Sequence, residues 1–229
     1  MKFYAFNDDG GNTINLLLDH NTTGQVQWSS SGDNRPNKLL EALSSDTSTW
    51  LGTETPTNYS LNQSSASSGA NYTVDYSNYK ARIITAEEIA QITGNTSWDV
   101  TNESSTYYFF DSLSTMASSN CYTEFVPIEQ SYTPFLGGCN YGWLYDRIRS
   151  SCTNFGCLND GVSTSNPYWT ISSTAFIDYN LVNAWKVTSR SFSGTGPVNL
   201  SAGIDFGLAA DGAGTGVRPV IEVLKSKLK

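Results

Sequence analysis

The sequence predicts a strand-rich α+β fold, and three observations carry that reading. Two segments, 34–46 and 86–92, join a helix start signal to an apolar face. Short aliphatic or aromatic runs bounded by Gly, Asn, Asp and Ser hold much of the remaining apolar content and read as strands. Finally, 75 of the 229 residues are Ser, Thr or Asn, whose short hydrogen-bonding side chains suit turns, caps and strand surfaces better than helix interiors. The length fits one large domain or two small ones, with room for a sizeable core, and the expectation is a single domain, 1–229.

The elements follow in chain order. Residues 1–28 read as a hairpin, with runs Lys2 to Asn7 and Asn12 to Asp19 joined by the turn Asp8-Asp9-Gly10-Gly11. That acidic turn lacks the oxygen-ligand spacing and closing Glu of an EF-hand, so calcium is not expected there. Asn34-Arg35-Pro36-Asn37 opens a helix with Leu39, Leu40 and Leu43 on one face, ending near Asp46. Residues 51–79 read as a polar surface excursion with weak strands around Tyr72 to Tyr76, and Lys80 to Ile84 as a strand. Thr85-Ala86-Glu87-Glu88 is a capping box that starts a second helix, Ala86 to Ile92, closed by Gly94. Tyr107 to Asp111 reads as an aromatic strand. In the last third, Tyr168 to Ser172, Ala184 to Thr188 and Gly216 to Val223 read as strands, with 174–183 and 189–215 as long irregular connections.

Charge excludes several partner classes. Only 15% of residues are charged and the net charge is -8, with the few Lys and Arg scattered apart from Lys225, Lys227 and Lys229. Nucleic acid needs a concentrated basic face, so it is not an expected partner. No apolar run approaches the ~20 residues of a spanning helix, and the first residues turn acidic too early for a signal peptide. Any export signal or anchor is expected outside this sequence.

Cys121, Cys139, Cys152 and Cys157 form an even set in Gly-, Asn-, Ser- and Tyr-rich surroundings, which favours two disulfides and an oxidising, exterior location. Three pairings are open. The tight Cys152-Thr-Asn-Phe-Gly-Cys157 loop favours Cys152–Cys157, leaving Cys121–Cys139. Neither spacing matches a zinc site, and no metal or cofactor is expected.

The search for catalytic chemistry yields little. The single histidine, His20, sits at a strand end without a G-x-S-x-G elbow or other triad context, and reads as structural. Glu87 and Glu88 are explained by helix-start chemistry, while Glu124, Glu129, Asp146 and Asp205 are isolated. Phosphate loops, dinucleotide fingerprints and H-E-x-x-H are absent. The reading is that the chain is not an enzyme.

Three segments near the end, Tyr168-Trp169-Thr170, Asn183-Ala184-Trp185-Lys186-Val187 and Gly216-Val217-Arg218-Pro219-Val220-Ile221, resemble the C-terminal pattern of bacterial C-type-lectin-like domains. That group includes formylglycine-generating enzymes and the variable proteins of diversity-generating retroelements. Leu16 to Thr23, Arg82 to Ile89 and Cys152 to Cys157 resemble uncharacterised surface proteins of gut Firmicutes. The resemblance implies a C-type-lectin-like α+β fold, two short helices packed on a small twisted antiparallel sheet with long irregular loops. It also implies that residues 168–223 display ligand contacts, with Trp169, Trp185, Gly216 and Arg218 as framework.

Carried onto this chain, the expected contacts are Phe176, Asp178, Tyr179, Asn180, Asn183, Lys186, Arg190, Phe192 and Asn199. Aromatics would supply buried area and Asn, Asp and Arg directional hydrogen bonds. The calcium-sugar triplets of animal lectins are absent, and no cysteine after Cys157 could serve formylglycine generation. The expected function is therefore a noncatalytic adhesin- or receptor-type domain at the cell surface, binding a protein or glycan. The alternatives are a structural module of a surface fibre or pilus, and a sulfatase-modifying-like or glycoside-hydrolase enzyme.

Overall fold

A computed structural model of the protein describes residues 1–8, 10–30, 33–62, 71–100, 108–111, 141–144, 167–178, 181–192, 199–208 and 215–228. These form a mixed α+β architecture. In chain order the strands and helices are β1 (Phe3–Phe6), β2 (Thr13–Leu18), α1 (Asn37–Thr47), β3 (Tyr59–Leu61), β4 (Tyr72–Val74), β5 (Arg82–Ile83), α2 (Ala86–Ile92), β6 (Tyr108–Asp111), β7 (Tyr168–Asp178), β8 (Leu181–Phe192), β9 (Asn199–Leu208) and β10 (Pro219–Leu224). They build two four-stranded antiparallel sheets, ordered β1-β2-β10-β5 and β6-β9-β8-β7, plus the hairpin β3-β4.

The first sheet brings the two ends of the chain together. Its N-terminal hairpin pairs Phe3 with Leu18 through Phe6 with Asn15, as the turn signal implied. The turn is bracketed by two left-handed residues, Asn7 at φ 50° and Gly10 at φ 81°. Gly carries no steric cost there, and Asn is among the residues best suited to it. β10 then lies against β2, Val220 opposite Leu17 and Leu224 opposite Thr13, and against β5 on its other side. Pro219 occupies the first position of β10, where a strand tolerates the missing N–H.

Both helices stand where their start signals put them. α1 begins directly after Pro36 and buries Leu39 and Leu43. In α2 the Thr85 hydroxyl accepts from the Glu88 N–H while the Glu88 carboxylate accepts from the Thr85 N–H, completing the capping box. Gly94, at φ 76°, closes the helix.

Two expectations are corrected. Residues 51–79 are not wholly a surface excursion: among the described ones Leu61, Tyr72, Val74 and Tyr76 are buried in the core, while Leu51, Asn58 and Ser60 are exposed. Tyrosine makes this possible, because its ring fills the core while its hydroxyl finds a buried acceptor. The Tyr72 hydroxyl donates to the Ile171 carbonyl at 2.6 Å, and its ring meets Trp28 edge-on at 5.8 Å. Likewise 174–183 and 189–215 are not simply irregular connections, since β7 runs on to Asp178, β8 spans Leu181–Phe192 and β9 lies wholly inside the second stretch. The alternation Leu200, Ala202, Ile204, Phe206, Leu208 is a period-two strand signal masked by Gly203 and Gly207.

The sheets meet over a core of large rings. Trp28, Trp169, Trp185, Tyr76 and Tyr168 are fully buried, and each of two indoles is tied to backbone. Trp28 Nε1 donates to the Thr170 carbonyl at 2.9 Å and Trp169 Nε1 to the Val26 carbonyl at 2.8 Å. Arg218, also fully buried, donates from Nε to the Leu18 carbonyl and from Nη2 to the Trp143 carbonyl. At Gly216 an added Cβ would lie 2.4 Å from the Thr23 carbonyl oxygen, so any other residue must push that backbone aside.

Candidate functional site

The residues expected to contact a ligand divide between the two ends of one sheet. Phe176 and Asp178 lie in β7; Asn183, Lys186, Arg190 and Phe192 lie in β8; Asn199 opens β9. Tyr179 and Asn180 lie outside the described residues, between β7 and β8. Asp178 pairs with Leu181 at the start of β8, whereas Asn199 pairs with Phe192 at its end. At ~3.3 Å per residue those ends are about 36 Å apart. The sheet therefore groups Phe176 and Asp178 at one end and Arg190, Phe192 and Asn199 at the other, too far apart to form one contact surface for a small ligand.

Of the remaining two, Asn183 lies one position past the Ile177–Val182 pair, at the same end as Phe176, and Lys186 stands opposite Trp169 farther along β8. Asn183 is 2% exposed, so its side chain is enclosed by the fold rather than offered to a partner. Lys186 is half-buried, with Nζ 5.8 Å from the centre of the Trp169 ring, which suits a cation–π contact. Cys121, Cys139, Cys152 and Cys157 lie outside the described residues, as do their expected pairings. His20 is buried in the fold.

A second region was not foreseen. An open cleft of about 440 Å³ is lined by residues of β2, β3, β5, β10 and α2 and by the turn after β1. Register explains its floor. Glu222 in β10 stands opposite Asn15 in β2, and Arg82 in β5 stands opposite Val220, two residues from Glu222 on the same face of β10. The first turn of α2 adds Glu87 and Glu88, and β3 adds Tyr59.

The charged groups of the floor are engaged with one another. Arg82 donates from Nε to Glu222 Oε1 at 2.9 Å, and from Nη1 and Nη2 to the two oxygens of Glu88 at 2.8 and 2.6 Å. Glu222 also accepts from the Thr57 N–H at 3.1 Å and the Thr57 hydroxyl at 3.2 Å. Burial works against the Arg82 charge, but Glu88 and Glu222 outweigh it and hold the guanidinium above its ordinary value.

Beside this triad, the Ser172 hydroxyl donates to Glu87 Oε2 at 2.7 Å, and the Tyr59 hydroxyl lies 3.1 Å from Glu87 Oε1 and 2.9 Å from Ser172 Oγ. Burial, reinforced by Tyr72 and the Glu87 carboxylate, pushes the Tyr59 phenol well above its ordinary value. Burial does the same to Tyr72 and Tyr76. All three stay neutral hydrogen-bonding groups across the physiological range.

One sequence signal could have exposed the cleft. Glu222 interrupts the apolar run Val220, Ile221, Val223, Leu224, and a carboxylate buried in such a strand demands a cation. The capping-box glutamate already stood six residues beyond Arg82, but only the pairing of β10 with β5 unites all three.

Among the described residues no group of three or more His, Cys, Asp or Glu side chains is arranged to hold a metal ion, and no helix is long and apolar enough to cross a membrane. No family model, curated protein or solved structure matches the chain.

Proposed function

We propose that this is a noncatalytic, extracellular ligand-binding domain of adhesin or receptor type, built on a C-type-lectin-like scaffold and offering the ends of its long sheet to a protein or glycan. The observation that carries this reading is the overhang of β8 and β9. Among the described residues, the last pairing of β8 with β7 on that side is Val187 with Tyr168. β8 and β9 stay paired for five more positions, from Thr188 with Gly203 to Phe192 with Asn199. Gly203 and Ala202 also pair with β6, so among the described residues the last three pairs, Arg190 with Ser201 to Phe192 with Asn199, form a two-stranded arm, the arrangement in which binding residues can change without disturbing the fold.

The cleft chemistry supports the noncatalytic part. A general acid or base must be able to exchange its proton with a substrate, whereas Glu88, Glu222 and Arg82 are committed to one another. Retroelement-type variation would then fall on the sheet ends rather than on this network.

The test uses two triple variants, Phe176→Ser/Tyr179→Ser/Asn180→Ser for one end and Arg190→Ser/Phe192→Ser/Asn199→Ser for the other. The wild-type domain is probed against arrays of glycans and purified extracellular proteins. Retention of at least one ligand, lost in one triple variant whose melting temperature stays within a few degrees, is the expected result. A domain that binds nothing, or whose ligand is retained by both variants, overturns the proposal.

A further inference from the structure

The cleft between α2 and the first sheet contains a second kind of chemistry, independent of the sheet ends. Arg82, Glu88 and Glu222 are spent on one another, but four neutral residues of its lining are not engaged. Among the described residues the side chains of Asn7, Thr13, Asn15 and Gln91 make no hydrogen bond to the protein, and all four line the same cavity. Asn7 and Gln91 are exposed at its rim, while Thr13 and Asn15 are half-buried.

We propose that this cleft holds a neutral sugar unit. The volume of about 440 Å³ falls in the range of small-molecule sites. Charge removes the anionic ligands. Arg82 is the only cation in the lining, it is bridged to two carboxylates, and with Glu87 the lining carries a net charge of -2. A phosphate or carboxylate group would meet this excess negative charge with no free cation. Chemistry removes apolar ligands, because covering four unpaired amide and hydroxyl groups with hydrocarbon would desolvate them without replacement bonds.

A polyhydroxyl ligand matches what remains. Each hydroxyl both donates and accepts, as do the amides of Asn7, Asn15 and Gln91 and the Thr13 hydroxyl. Glu87, half-buried in the lining, accepts from the Ser172 hydroxyl on one oxygen, lies 3.1 Å from the Tyr59 hydroxyl at the other, and keeps lone pairs for ligand O–H groups. Tyr59, half-buried and fixed through its hydroxyl, adds an aromatic surface against which C–H groups of a sugar ring can rest. The Asn7 side chain is set on a left-handed backbone at φ 50°, so its position at the rim is fixed by the turn.

The experiment titrates isotope-labelled protein with glucose, galactose, mannose and N-acetylglucosamine, and separately with inorganic phosphate and the diamine putrescine. The side-chain amide resonances of Asn7, Asn15 and Gln91 are followed. Saturable shifts with at least one neutral sugar, at dissociation constants of roughly millimolar, are expected. The double variant Asn7→Gly/Gln91→Ala should weaken that binding at least about tenfold, and glycine preserves the left-handed backbone. The backbone spectrum away from the cleft reports that the variant is folded. No saturable shift with any neutral sugar, saturation by putrescine or phosphate alone, or unchanged sugar affinity in the folded double variant would each overturn the proposal.

Discussion

Replacing Arg82 with Met tests whether the buried triad holds the first sheet to α2. Arg82 is 6% exposed, and the Glu88 and Glu222 side chains are only 13% and 11% exposed. The substitution would remove three charge-assisted bonds of 2.6 to 2.9 Å and leave two carboxylates facing each other without a cation. Breaking a buried pair from one side costs about 3–5 kcal/mol, because the remaining charge stays buried. At roughly 2–4 °C per kcal/mol for a domain of this size, Tm should fall by about 6–20 °C. The reciprocal variant Arg82→Met/Glu88→Gln/Glu222→Gln removes the stranded charges with little change of volume, so it should recover much of the loss. Thermal melts of both, followed by circular dichroism, decide the matter. An Arg82→Met protein melting within a degree or two of wild type, or a triple variant no better than the single one, would refute the idea that the triad is a matched buried unit.

The same packing makes further predictions. Burial holds the phenols of Tyr59, Tyr72 and Tyr76 above the ~10 of an unfolded tyrosine, so above that pH the unfolded state loses protons the native state keeps. Stability should therefore fall with rising pH by about 1.4 kcal/mol per pH unit for each such tyrosine; tyrosinate absorbance that rises for these residues without loss of native circular dichroism would contradict it. Gly216→Ala sets a methyl group 2.4 Å from the Thr23 carbonyl oxygen and 2.5 Å from Asn21 Nδ2, and should cost about 1–3 kcal/mol in a denaturant melt. A neutral result would mean that the 21–23 segment yields freely. Peptide mapping of exported protein without reductant should find Cys121 linked to Cys139 and Cys152 linked to Cys157; four alkylatable thiols would reject both links.

The parts of this fold legible in the sequence are those fixed by neighbours along the chain. The Asp8 to Gly11 turn specifies the first hairpin, and Thr85 with Glu88 specifies the start of α2 because both partners of each bond lie within one turn. β9 escaped because its period-two pattern shares positions with glycines that also signal loops. The cleft escaped for a different reason. Arg82 and Glu222 are 140 residues apart, and their bond exists only once β10 has joined β5. Tyr59, Tyr72 and Tyr76 were misleading because an amphipathic ring reads equally as surface or core until its hydroxyl finds a partner, an acceptor for Tyr59 and Tyr72 and the Ile83 N–H donor for Tyr76.

The buried arginines show how a chain with so few charges holds its parts together, Arg82 joining the first sheet to α2 and Arg218 reaching from the first sheet to the Tyr168 ring of the second. Arg82 uses carboxylates, whereas the two hydrogen bonds described for Arg218 go to the carbonyls of Leu18 and Trp143, and its guanidinium lies 5.1 Å from the Tyr168 ring. A planar fork can reach separate acceptors and lie against a ring together, which an ammonium cannot. Around it the backbone closes further: Val217 exchanges bonds of 2.8 and 2.9 Å with Thr22 and Thr23, while Gly216 accepts from Trp169 at 3.1 Å and donates to Pro167 at 2.8 Å. Residues 216–218 thus join the end of β2 to the start of β7, the point where the first sheet meets the second. β8 and β9 beyond Val187 reach away from this junction, but the cleft shares β2 and β10 with it. On the proposed function, variation would fall on the overhanging strands, whereas substitution in the cleft would disturb β2 and β10, which also hold the junction.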